Sequence, residues 1–216
     1  MKRWIGKLIA GMMFVGTMGV VTGAKAQVND PAGDFLPTFT GVRNGDLDVL
    51  YSNVQFDGQR FLFDTKMNGS IGLTSTGLYV LGFDRGAGTA RFGALATGVF
   101  FDSVVTITSA GVGTVRDLTN GVATPLPSSA IQFNGNSITA QIPVGLLPSK
   151  GFATDAFTWN LWPRDSSVTG TAAISDFAPD NRNVVVQAVP EPGTLALLCG
   201  TSLTLIPIAL RRRRRA

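Results

Sequence analysis

Histidine is absent from this 216-residue chain. That absence excludes Ser-His-Asp and Cys-His nucleophilic catalysis and any imidazole metal site. The single cysteine, Cys199, lies in an apolar stretch near the C-terminus. The body therefore has neither a disulfide nor a thiol nucleophile, and a domain of this size needs no disulfide to fold. Glutamate is almost missing as well: Glu191 stands alone beside thirteen aspartates. Aspartate favours turns and loops, whereas glutamate favours helix interiors. With 26 Gly and 11 Pro, this composition argues against a helical body and for short strands joined by turns.

Positive charge is scarce where it would matter for nucleic acid. The whole chain carries a formal +4, but nine of its eighteen Lys and Arg sit at the ends: Lys2, Arg3, Lys7, Lys25 and Arg211, Arg212, Arg213, Arg214 and Arg215. Residues 27–192 hold nine basic and all fourteen acidic residues, a net −5. Phosphate binding needs a basic footprint, which such a body lacks, so no nucleic-acid partner is expected.

The two ends have the pattern of targeting segments. The N-terminus has a basic MKRWIGK start, the apolar run Leu8–Val21, and the small-x-small triplet Ala24-Lys25-Ala26. This predicts a secretory signal peptide over residues 1–26, helical in its apolar part, with signal peptidase cutting between Ala26 and Gln27. The C-terminus has Pro190-Glu191-Pro192, eighteen uncharged residues from Gly193 to Leu210, and the Arg211–Arg215 run. Eighteen helical residues just cross a hydrocarbon layer about 30 Å thick. The arginines hold that end in the cytoplasm. Everything between the two segments is then outside.

The combination of Pro190-Glu191-Pro192, an adjoining apolar helix and a terminal basic cluster resembles the PEP-CTERM sorting signal, here covering residues 188–216. The resemblance implies recognition of Pro190, Glu191 and Pro192 by exosortase, a membrane-embedded transpeptidase-like enzyme. It also implies transient anchoring through a transmembrane helix at 193–210 and delivery to the surface or extracellular matrix of a Gram-negative bacterium that makes exopolysaccharide. The two prolines impose an extended segment just outside the membrane, the form a processing enzyme grips. A plain single-pass anchor is the other reading of the same residues.

Residues 27–187 are expected to form one all-β domain, a β-sandwich of jelly-roll type with about nine to eleven strands. Asp57-Gly58 between Val54–Phe56 and Arg60–Phe63 is a strong hairpin signal, and Asn134-Gly135 between Ile131–Phe133 and Ser137–Ile142 repeats the pattern. Further strands are expected at Asp46–Ser52, Gly77–Phe83, Ala90–Ala94, Ser103–Ser109, Gly113–Asp117, Phe157–Trp162 and Val184–Val189. Only Val144–Leu147, bounded by Pro143 and Pro148, has room for a helical turn. The glycines of Asn44-Gly45, Asn68-Gly69, Asn120-Gly121 and Asn134-Gly135 are expected at φ > 0. Gly86-Ala87-Gly88 is a loop with no following helix, not a phosphate cradle. Trp159 is expected in the core; Trp162, beside Pro163 and Arg164, is a candidate ligand-stacking surface.

Three acidic clusters are candidates for chemistry: Asp30 and Asp34, Asp46 and Asp48, and Asp176 and Asp180. Oxygen ligands spaced by Gly and Pro suit calcium outside the cell, which makes Asp30, Asp34, Asp176 and Asp180 candidate calcium ligands. Asx-turns are the other account of the same residues. Asp46 and Asp48, two apart on an expected strand, would face the same side, as the two carboxyl groups of a glycosidase require. The opening Asp30-Pro31-Ala32-Gly33-Asp34, with Asp46-Leu47-Asp48-Val49 and the Phe56-Asp57-Gly58 turn, resembles the start of DOMON-like and related carbohydrate-binding β-sandwich domains. That likeness implies sugar binding and, in some members, a structural calcium. The functional expectation is a surface or matrix protein with a structural or interaction role and no catalysis. Calcium-assisted carbohydrate binding to extracellular polysaccharide is the alternative and a glycoside hydrolase a lesser one. No cofactor is expected beyond that calcium.

Overall fold

The computed structural model describes residues 27–189. The expected signal peptide, the Pro190-Glu191-Pro192 motif, the 193–210 helix and the arginine run lie outside the described residues. Of the cleavage-site residues Ala24, Ala26 and Gln27, only Gln27 is described.

The described chain is all-β. Strands β1 (Val28–Asn29), β2 (Val49–Phe56) and β3 (Arg60–Met67) form one sheet with β10 (Ile131–Asn134) and β11 (Ser137–Pro143), in the order β1-β2-β3-β11-β10. Strands β4 (Gly77–Asp84), β7 (Ser103–Thr108), β8 (Gly113–Asp117), β9 (Ala123–Pro125), β12 (Thr158–Asp165) and β13 (Val184–Val185) form a second, in the order β13-β12-β4-β7-β8-β9. A small pair, β5 (Thr89–Ala90) with β6 (Phe100–Phe101), stands apart. Strand β14 (Gln187–Ala188) joins the first sheet in parallel with β2, and every other pairing is antiparallel. Among the described residues no helix is long and apolar enough to cross a membrane, and the helical segments are short 3-10 turns.

Alternation makes the sheets. In β3 the buried Phe61, Phe63, Thr65 and Met67 alternate with outward Leu62, Asp64 and Lys66; in β11 Ile138, Ala140 and Ile142 alternate with Thr139 and Gln141. Period-two side chains put one set on each face. The inward sets meet Tyr79, Leu81, Phe83, Val105, Ile107, Trp159 and Leu161 of the second sheet in a shared core. Phe61 sits at its centre, 5.3 Å from the Phe83 ring and 5.7 Å from Phe157. Each such side chain, fully buried, contributes about 1.5–3 kcal/mol.

Both hairpin turns form as expected. Gly58 and Gly135 have φ of 92° and 61°, and Asp57 Oδ1 accepts from the amides of Gln59 and Arg60 across the first turn. The Val144–Leu146 turn after Pro143 also forms. Four differences have physical reasons. Asp46 is not in a strand: Gly45–Leu47 is a 3-10 turn, and the strand begins at Val49. The expected Ala90–Ala94 strand stops at Ala90, giving way to the Gly93–Leu95 turn, whose Gly93 has φ of 56°. Val184–Val189 is not one strand. Residues 184–185 pair with β12, the buried Val186 crosses over, and residues 187–188 pair with β2, so one segment ties the two sheets together. Trp162 is no ligand platform: only 3% exposed, it packs against Phe92, Phe101 and Phe177 in a second cluster behind β4 and β12. That second cluster is why β4 is buried on both faces and reads as a nearly continuous apolar run.

Candidate functional site

The acidic residues separate into structural and convergent sets. Asp46 is fully buried and spent on Thr74, accepting from its amide at 2.7 Å and its hydroxyl at 2.8 Å. Asp46 lies in the turn and Asp48 just after it, so the same-face pair expected of two strand residues does not form. Asp84 accepts from the amides of Gly86 and Gly88, and Asp102 from that of Ala87. The glycine loop therefore closes on the protein's own carboxylates, in keeping with a structural loop.

Asp30, Asp34, Asp48, Asp176 and Asp180 converge beside the start of β2. Carboxylate oxygens of Asp30, Asp34 and Asp180 all lie within 4.8 Å of one another, and so do those of Asp34, Asp48 and Asp176. Asp34 belongs to both groups. The four candidate ligands from the two ends of the domain are thus brought together, and Asp48, assigned to a different pair from sequence, completes them. A signal for Asp48 was present: Asn44-Gly45-Asp46-Leu47-Asp48 repeats the turn-and-carboxylate pattern of the flanking clusters.

Local structure holds each group. Asp30 follows β1 and donates its amide to Leu50 O at 3.1 Å, which aligns the N-terminal segment along β2. The buried Asp176 accepts from Val49 N at 2.9 Å and Phe177 N at 2.7 Å, linking the segment after β12 to the start of β2. Asp48 Oδ2 accepts from Gly33 N and from Asn68 Nδ2, both at 2.8 Å. Asn68 reaches Asp48 because Gly45 and Gly69 touch back to back: a Cβ on Gly45 would sit 2.7 Å from Gly69 N. The absence of side chains, rather than positive φ, is the use made of these two glycines. Among the four Asn-Gly pairs, only Gly121 and Gly135 adopt positive φ.

Electrostatically the cluster is unbalanced. None of the ion pairs among the described residues reaches these five carboxylates. Burial, reinforced by the carboxylates of Asp176, Asp34 and Asp180, pushes the Asp30 carboxyl well above the ordinary range. Burial also raises Asp176, against two amide hydrogen bonds that favour its charged form, with Asp34 and Asp48 adding to the rise. Asp34 is raised in the same direction, chiefly by burial. Asp48 is fully buried, and its second oxygen, Oδ1, accepts no hydrogen bond; the buried Oδ2 of Asp30 accepts none either. A buried carboxylate oxygen without a donor costs free energy unless a cation or proton meets it. All-oxygen, anionic donor sets are the kind that a hard divalent cation such as calcium takes.

A second feature is a shallow groove on the outer face of β3, β11 and β10, lined by Leu62, Asp64, Gln132, Thr139 and Gln141. Both tryptophans in the described domain are buried, so neither is available as a stacking platform there. No protein-family model matches the chain, and no curated protein is significantly similar to it.

Proposed function

We propose that this chain is an exported surface or matrix protein, a jelly-roll-like β-sandwich closed by calcium, that reaches the cell exterior through a PEP-CTERM-type tail. The observation that carries the calcium reading is Asp48: a fully buried carboxylate with an undonated oxygen, set among Asp34 and Asp176, which no ion pair among the described residues reaches. Asp30, Asp34, Asp176 and Asp180 take part with it. The cation ties the segment after β1 to the segment after β12, the two ends of the domain. Its role is mechanical, supporting an interaction or structural function without catalysis; Asp46, the other member of the candidate catalytic pair, is consumed by Thr74.

The routing part of the reading rests on residues of the sequence: Ala24 and Ala26 before Gln27 for signal peptidase, Pro190-Glu191-Pro192 for exosortase, and Arg211–Arg215 for topology. The chain is held by the membrane until the tail is processed, then released to the exterior. Intact-mass measurement of cell-surface material tests this. Mature protein should begin at Gln27 and lack the residues after about Pro192; an arginine run still attached would refute it.

The groove beside Gln132 and Gln141 favours one further reading, polysaccharide binding through amide and hydroxyl groups. A glycan array probed with and without chelator tests it: binding lost on Gln132→Ala and Gln141→Ala supports it, and no retained glycan refutes it.

A further inference from the structure

We infer that the end of the sandwich carrying Val189 docks on a phospholipid bilayer surface while the C-terminal tail is attached. This inference rests on the membrane-span part of the reading above and adds an orientation to it.

Tether length selects this end. Val189 is fixed to the domain: its amide donates to Phe56 O at 2.8 Å, and Ala188 pairs with Phe56 along β2. Only Pro190-Glu191-Pro192 stands between Val189 and Gly193, the first residue of the proposed span. Four residue steps reach at most about 14 Å. Whatever surrounds Val189 therefore stays close to the lipid headgroups.

Strand registers show what surrounds it. The turn from β2 to β3 lies at this end, where Pro143 pairs with Arg60 and Val144 N donates to Gln59 O at 3.0 Å. In the second sheet, Thr158 at the start of β12 pairs with Asp84 at the end of β4 and with Val185. Val186 N donates to Phe157 O at 2.8 Å, which joins that corner to β14. Phe152 N donates to Arg85 O at 3.0 Å, next to Asp84. Asn183 Nδ2 donates to Phe100 O at 2.6 Å and to Thr158 Oγ1 at 2.9 Å.

Four apolar side chains of this end face water: Phe100, Phe152, Val185 and Val189 are each 38–51% exposed. Phe100 and Phe152 are the two exposed phenylalanines among the described residues. Such side chains enter the boundary between headgroups and acyl chains. Exposed apolar residues also occur at the opposite end, for example Val112 in the turn between β7 and β8. Exposure alone does not choose a face; the tether does.

Charge favours the same orientation. The acidic cluster surrounds the start of β2, and Val189 lies at its finish. Eight strand residues at about 3.3 Å each separate the two by about 25 Å. That is about three Debye lengths at physiological salt, so the docked domain holds its carboxylates clear of anionic headgroups.

The test uses the full chain, expressed with its signal peptide in a host without exosortase so that the tail stays attached, and reconstituted into phosphatidylethanolamine–phosphatidylglycerol vesicles. In a Cys199→Ser background, a nitroxide label is placed at Ala153→Cys beside Phe152 or at Val112→Cys on the far end. Collision rates with oxygen, which concentrates in lipid, and with a water-soluble nickel chelate are then measured. The oxygen-to-nickel ratio should be at least about threefold higher at residue 153 than at residue 112. Phe100→Ser with Phe152→Ser, both at exposed positions, should bring the two ratios together. Equal ratios at the two positions in vesicle-bound protein overturn the docking while leaving the membrane-span reading standing, and so does a ratio at residue 153 that the double variant leaves unchanged. A chain that does not float with the vesicles overturns the membrane-span reading and this inference with it.

Discussion

Asp102→Ala removes the partner of a fully buried arginine. Arg85 and Asp102 are both inaccessible to solvent and form an ion pair through Nε and Oδ1, while Asp102 Oδ2 also accepts from the amides of Arg85 and Ala87 at 2.9 and 3.0 Å. Arg85 keeps Pro148 O at 3.1 Å and Asp117 at 3.1 Å, and Asp117 is shared with Lys150 at 3.3 Å. Deleting Asp102 strands the buried amide of Arg85, frees that of Ala87, and leaves the guanidinium with half its compensation. Breaking a buried pair from one side costs about 3–5 kcal/mol. At roughly 2–4 °C per kcal/mol for a domain of this length, the melting temperature should fall by roughly 6–20 °C. The assay is thermal and urea unfolding followed by near-ultraviolet circular dichroism, run in calcium and in EDTA. The loss should be the same in both, because Arg85 and Asp102 take no part in the acidic cluster. Arg85→Met combined with Asp102→Leu should recover most of it, since replacing both charges removes the desolvation cost as well as the attraction. A loss below about 1 kcal/mol for Asp102→Ala, or a double variant no better than the single one, would refute the reasoning.

Four further outcomes follow from the same geometry. Asp48→Asn should abolish the calcium-dependent part of thermal stability while changing the melting temperature in EDTA little, as read by paired melts. Gly69→Ala would place a Cβ 2.9 Å from the Gly45 backbone, which cannot yield; a cost of about 1–3 kcal/mol and weaker calcium binding should follow, measured by urea unfolding and calorimetry. In EDTA, stability should fall as pH rises from 5 to 8. The raised carboxyls of Asp30, Asp34 and Asp176 stabilise the folded state fully below the unfolded value of about 4 and lose that contribution as pH climbs through their folded values. Calcium, which takes the place of those protons, should remove this slope. At the acid end, Asp117 acts with the opposite sign. Burial alone would raise it, but the hydrogen bonds of Thr119 and the Arg85 guanidinium hold it well below the usual range, so its contribution is present above about pH 4 and lost as pH falls further. Asp117→Asn should flatten the acid limb of the stability profile.

The parts of the fold legible in the sequence are those set by local rules. Asp57-Gly58 and Asn134-Gly135 specify their turns, and the alternation of Ile138, Ala140 and Ile142 specifies a face. What escaped local reading depends on contacts far apart in the chain. Val184–Val189 looks like one strand because each of its residues suits a strand; that it serves two sheets is decided by β12 on one side and β2 on the other. Trp162 sits next to Pro163 and Arg164, which suggests a surface, yet Phe92, Phe101 and Phe177 cover it from three separate segments. Gly45 and Gly69 resemble turn glycines, and only their mutual contact shows that they are there for close approach. At the site, pairing the first acidic cluster with the last anticipated Asp30, Asp34, Asp176 and Asp180. Asp48 was paired instead with Asp46, because a strand was expected where a 3-10 turn separates their directions.

The most direct test of the account is the melting temperature of the processed protein in calcium and in EDTA. With free calcium at about 100 times its Kd, one bound ion adds about 2.7 kcal/mol, or roughly 5–11 °C at the conversion above. The account predicts a rise of at least that size in the wild type and none in Asp48→Asn. Equal melting temperatures for the wild type in calcium and in EDTA would contradict it.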